Sequence, residues 1–188
     1  MVTGNHGRLS GRLLVAEPML GDPNFDRTVV LVLEHADEGA MGLVLNRPTD
    51  ILVADTLFGW HQFATDDPVV HVGGPVEDRS IWGLARAIDP DDVDGFVPVL
   101  GNLGLVDLRA EPESVHAWVT DFRMYVGYSG WGPGQLEYEL AAESWFVVDA
   151  DPGDPFLADS TDLWPRILAR QGGSLSRLAT FPRDPSLN

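Results

Sequence analysis

The stretch YVGYSGWGPGQLEYEL, residues 125–140, gathers more residues able to do chemistry than any other part of this chain. Gly127-Tyr128-Ser129-Gly130-Trp131 departs at one place from G-x-S-x-G, the elbow in which a sharp strand-to-helix turn presents a serine hydroxyl as a nucleophile. Trp131 holds the place of the second glycine. That elbow also needs a histidine base later in the chain, and His6, His35, His61, His71 and His116 all precede Ser129. Only a triad of another chain order would serve, so no catalytic residue is assigned. The architectural reading explains the same residues. Gly127 and Gly130 permit positive φ and close backbone approach. Pro133 is preorganised for a helix's first turn, and Glu137 then sits near the positive end of the helix dipole. Tyr128 and Trp131 bury large area while keeping a polar atom at the edge. Free N–H groups at the helix start, beside Gln135, would also receive an anion.

Other candidates are scattered. Glu34, His35, Asp37 and Glu38 in EHADEG carry oxygen and nitrogen ligands, but a hairpin turn rich in acids is usually solvated, and no zinc spacing is present, so no metal is expected. His71 precedes Gly73-Gly74-Pro75 and is either a satisfied sheet residue or a proton carrier. Arg47, in Asn46-Arg47-Pro48, is able to clamp a carboxylate with two parallel hydrogen bonds. No phosphate-binding glycine loop is found, and no cofactor is expected. The favoured reading is a non-enzymatic protein that binds a small ligand or a protein partner, with an indirect regulatory role open to it. Its pocket is expected from His35, Asn46, Arg47, Gly73, Gly74, Pro75, Tyr128, Ser129, Trp131 and Gln135. The alternative is an enzyme using His71 or His35 with a nearby carboxylate, recognisable by a histidine that reaches both a carboxylate and an open cleft.

Charge bears on the third reading, a direct transcriptional regulator. Net charge is -17, all twelve basic residues are arginine, and they are scattered from Arg8 to Arg183. A field of that sign repels phosphate backbones, and no basic recognition helix can be placed, so direct nucleic-acid binding is not expected. No apolar run approaches the ~20 residues of a membrane span. The absence of cysteine fits a reducing interior, and a cytoplasmic location is expected.

The elements that must position these residues read as follows. RLLVA (12–16), TVVLVLEH (28–35) and AMGLVLNRP (40–48) are strands, the last two a hairpin, with Pro48 as terminator. Their apolar residues do not alternate cleanly, so both faces are expected to be covered. Thr49 or Asp50 is expected to cap a helix over 51–60, with Val53 and Leu57 on one face and Gly59 as its stop. Residues 69–76, 81–88 and 103–109 read as strands, and 89–96 as an exposed acidic loop. Val115, Trp118 and Val119 have the spacing of one helix face over 111–122. A strand at 123–130, a helix over 132–144, a strand at 145–151 and a final helix at 160–173, stopped by Gly172-Gly173, complete the chain. One α+β domain of 188 residues follows, with residues 1–10 expected to be a flexible N-terminus.

LLVAEPMLGDPNFDRTVVLVLEHADEGAMGLVLNRP, VHVGGPV, VGYSGWGPGQLEYELAAESWF and LWPRILARQGG together resemble the YqgE/AlgH family of bacterial proteins over nearly the whole chain. The resemblance implies an α+β fold whose branched, mixed sheet curls into a partial barrel with helices packed outside. It also implies a cytosolic protein with no established enzyme activity, in a family where some members carry the label "transcriptional regulator". IWGLARAI replaces the family's more usual x-F-x-L-H, so any role of a histidine there is absent from this chain.

Overall fold

The computed structural model describes residues 9–64, 68–90, 94–115 and 117–182. The expected flexible N-terminus falls largely outside them, as do His6, His116 and parts of both acidic loops. Among the described residues, ten strands form one curled sheet: β1 (Arg12–Ala16), β2 (Val29–Ala36), β3 (Gly39–Val44), β4 (Pro48–Leu52), β5 (Val69–Val72), β6 (Val76–Ala87), β7 (Phe96–Leu100), β8 (Leu103–Val106), β9 (Val119–Trp131) and β10 (Trp145–Asp149). The main path runs β10-β1-β2-β3-β9-β6-β8-β7. Five α-helices among the described residues accompany it: α1 (Val53–Thr56), α2 (Pro112–Val115), α3 (Gln135–Ala141), α4 (Leu163–Gln171) and α5 (Gly173–Leu178).

The branch sits on β9. Its pairing with β6 runs from Val119 to Tyr128. Elsewhere it pairs first with β5, in parallel, at Tyr125 and Val126, and then with β3, antiparallel, from Ser129 to Trp131. The other strand pairs are antiparallel, so the α+β class and the mixed, branched sheet both hold.

The non-alternating runs of β1 to β3 have a direct cause, because successive side chains point to opposite faces and each face has its own core. Leu13, Val15, Val29, Leu31 and Leu43 pack with Leu163, Trp164, Ile167 and Leu168 of α4. Leu14, Ala16, Val30, Val32 and Val44 pack with Trp131, Leu136 and Trp145. A third cluster, including Val53, Trp60, Phe63, Ala85, Phe122 and Met124, fills the β6–β9 end.

Several elements differ from the expectations. Pro48 does not terminate the third strand, which ends at Val44; it opens β4, paired with His71, a first-residue place that needs no N–H from it. The helix expected over 51–60 shrinks to the single turn α1, with Ile51 and Leu52 still in β4. Neither Thr49 nor Asp50 caps it: the Thr49 hydroxyl donates to the Val70 carbonyl and ties β4 to β5. Gly59 is not its stop: α1 ends at Thr56 with Leu57 as C-cap, and Gly59, at φ 93, instead precedes a 3-10 turn over Trp60–Phe63. The helix expected over 111–122 shrinks to α2, because Val119 to Phe122 pair with β6, where branched and aromatic side chains fit a pleated surface. Phe96, placed at the end of the acidic loop, instead opens β7, an edge strand that tolerates Pro98. Gly172 stops α4 at φ 68, but α5 begins at once. The Asp159 side chain accepts from Thr161 N–H and caps the 3-10 turn that leads into α4.

Candidate functional site

The glycine–aromatic stretch lies mostly within β9, and the turn to α3 is made later, by Gly132 to Gly134. Gly127 has φ 67, and a Cβ there would lie 2.5 Å from the Gly74 carbonyl oxygen. Gly74 answers it: its own Cβ would stand 2.3 Å from the Tyr128 carbonyl. Backbones this close require glycine on both sides. Gly130 is not at positive φ; it lies in the ladder opposite Met41.

Ser129, Trp131 and Gln135 each have an internal partner. Ser129 is fully buried, and its hydroxyl donates to the Gly73 carbonyl at 3.2 Å. The indole N–H groups of Trp131 and Trp145 both donate to Glu139 Oε2, at 2.9 and 2.8 Å. Gln135 accepts from the Gly132 N–H and donates to Glu139. Trp131 packs at 6.2 Å from Phe25 and 6.1 Å from Trp145, ring centre to ring centre. Beside it, Glu34, Glu38, Met41, Val76, Tyr128 and Gly130 line an open groove of about 610 Å³.

His35 does not line this groove, although Glu34 and Ala36 do, because strand alternation turns its ring to the other face. The Leu9 N–H donates to His35 Nδ1 at 3.3 Å, so Nε2 carries the proton and donates to Glu137 at 2.8 Å. The carboxyl of Glu137 is held below its usual range by its own backbone N–H and then by His35. Among the described residues, no group of three His, Asp or Glu converges on a metal position.

His71 is fully buried. A carbonyl only accepts, so Nδ1–H donates to Val69 O at 3.3 Å, and Nε2 accepts from the Ser160 hydroxyl at 2.9 Å. Burial, and then the nearby Arg123 guanidinium, lower its pKa from 6.5 to about 3. Its ring nitrogens meet a hydroxyl and a carbonyl, and the side chain has no exposed surface.

Asn46 and Arg47 stand on a different cleft. Asn46 is buried and acts as a backbone clamp, accepting from Val29 N–H and donating to the Arg27 carbonyl, both at 2.9 Å. The residue it holds, Arg27, has φ 51, unusual outside glycine. Arg27 donates to the Phe181 carbonyl at 2.7 Å, and its guanidinium lies 4.6 Å from the Trp164 ring centre. Arg47 donates to the Asp26 carbonyl. These two arginines, with Asn46, Pro48, Thr161, Trp164 and Pro165, line a cleft of about 330 Å³. A second cavity of about 300 Å³, walled by Pro23, Asn24, Val44, Val72, Gly74 and Pro75, shares Arg47 and Pro48 with it.

The expected single pocket thus divides. Asn46, Arg47, Gly74 and Pro75 belong to the arginine cleft and its neighbour, with Gly73 in the backbone beneath. Tyr128 and Trp131 face the open groove, and Ser129, Gln135 and His35 are engaged elsewhere. Arg27, Thr161 and Trp164 were missed. Nothing in their local spacing marks them, since they converge from opposite ends of the chain.

Fold and site together define a curled-sheet α+β protein with an arginine-lined cleft and with His35 and His71 engaged internally. The chain belongs to the AlgH-like family (DUF179), whose family model matches residues 13–176. A UPF0301 protein of Streptomyces avermitilis is 49% identical over 184 residues, covering 96% of this chain and 95% of the relative. One of Mycobacterium tuberculosis is 42% identical, covering 95% and 90%. A crystal structure of a Corynebacterium diphtheriae protein superposes with a TM-score of 0.87 at 31% identity, over 91% of both chains. The solution structure of AlgH from Pseudomonas aeruginosa gives 0.68 at 29%, over 97% and 98%. None of these names states an activity. No helix among the described residues is long and apolar enough to cross a membrane.

Proposed function

We propose that the protein is a cytosolic binding protein that works by holding a small anionic ligand in the arginine cleft. The observation that carries this reading is the Arg47 guanidinium, which lines an open cleft in a chain of net charge -17. Five other arginines, Arg12, Arg86, Arg109, Arg166 and Arg170, pair with aspartates. Arg47 instead gives a donor to a backbone carbonyl, which orients the guanidinium without neutralising it. A guanidinium so placed favours a planar anion, and Thr161 and Pro48 line the same cleft.

The enzymatic alternative finds less support, because neither His35 nor His71 presents a ring nitrogen to a cleft. Native mass spectrometry of freshly purified protein, followed by a titration with sodium acetate monitored by NMR at constant ionic strength, tests the reading. Shifts should focus on Asn46, Arg47, Thr161 and Trp164, and Arg47→Gln should weaken binding by about tenfold or more, the size of a lost charge-assisted pair. Shifts spread evenly over the surface, or unchanged in Arg47→Gln, would overturn it.

A further inference from the structure

We infer that the ligand is a monocarboxylate with an apolar chain, its head on Arg47 and its chain in the adjoining cavity; this rests on the anion reading above. Two features select it. The first is the shared wall: Arg47 and Pro48 line both cavities, so a head bound to the guanidinium has a second chamber within reach. That chamber is walled largely by Pro23, Val44, Val72 and Pro75, which offer methyl and ring carbons and no second cation. Val44 is buried, and Val72, 39% exposed, forms an accessible side of the chamber.

The second feature is charge. A net charge of -17 penalises each further negative charge brought to the surface, so a single carboxylate is favoured over a phosphate ester of higher charge. Planarity points the same way, since a carboxylate matches the guanidinium fork with two parallel hydrogen bonds. The combined volume of the cavities, about 330 and about 300 Å³, admits a small molecule and not a folded segment.

The test is a series of straight-chain carboxylates (acetate, butyrate, hexanoate, octanoate), with inorganic phosphate alongside, titrated into the full chain by calorimetry below their micelle-forming concentrations. Affinity should rise by about fourfold for each methylene buried, until the chamber is full. Arg47→Gln should weaken every carboxylate by a similar factor and leave the gain per methylene intact. Val72→Asn should do the reverse, reducing the gain per methylene. Circular dichroism of both variants would confirm that they fold. Anion binding that depends on Arg47 but shows no gain with chain length, or phosphate bound more tightly than hexanoate, would overturn the inference and leave the anion reading standing. A chain-length gain unaffected by Val72→Asn would place the apolar part elsewhere and also overturn it. No binding of any anion would remove both readings.

Discussion

The β9–α3 seam and the arginine cleft are both walled by tryptophan and both carry polar atoms, yet they differ in where those atoms point. In the seam, two indole N–H groups converge on one carboxylate, Ser129 is tied to Gly73, and Gln135 is tied to the turn. In the cleft, Asn46 is tied to backbone while Arg47, with five N–H donors, uses the Asp26 carbonyl as a prop and lines open space. The lesson is that a dense motif of glycine and aromatics marks close packing. The site is better marked by charged donors held in place from behind.

If that contrast is right, damage to the seam should appear as lost stability and damage to the cleft as lost binding. The largest stability effect is expected from Trp131→Ala, about 3–5 kcal/mol, because the ring is 5% exposed, packs on Phe25 and Trp145, and its loss leaves a cavity. Urea titration with an unchanged slope would establish it. A near-neutral result would return Trp131 to the groove as a ligand wall.

The buried His71 gives a pH dependence of known sign. Its folded pKa, about 3, lies below the unfolded 6.5, so the unfolded chain binds the proton first as pH falls. Stability should therefore be full above pH ~6.5 and fall by roughly 1.4 kcal/mol per pH unit below it, until about pH 3. Urea titrations between pH 7 and 5 isolate this effect from the carboxylates, which titrate lower, and His71→Gln should flatten the slope there. A wild-type slope of zero in that window would mean that the histidine is solvated.

Ser129→Ala should cost only about 1 kcal/mol, since the Gly73 carbonyl it leaves still accepts from Val44 N–H. Any hydrolysis of a simple ester should be unaffected; a clear loss with folding intact would restore Ser129 as a nucleophile. The smallest change in stability, within about 0.5 kcal/mol, is expected for Arg47→Gln, a half-buried surface position whose effect belongs to binding.

Much of this was legible in the linear chain. Runs of branched apolar residues placed β1, β2 and β10 within a residue or two, and the covering of both faces followed from the missing alternation. The helix expected over 132–144 contains α3, and the Gly172 stop placed the end of α4. These signals act over a few residues, which is the range at which side-chain periodicity and turn chemistry operate. What lay beyond that range was decided by tertiary contact. Val115, Trp118 and Val119 have helical spacing, yet from Val119 the chain extends, because β6 offers a ladder along much of β9. Histidines of equal promise on paper, His35 and His71, are each engaged at both ring nitrogens, His35 by the remote Leu9 and Glu137, His71 by the remote Ser160 and the neighbouring Val69. Arg27, Arg47 and Trp164 share no local pattern and meet only because β2, the β3–β4 bend and α4 pack on one core, so the cleft exists in the fold alone.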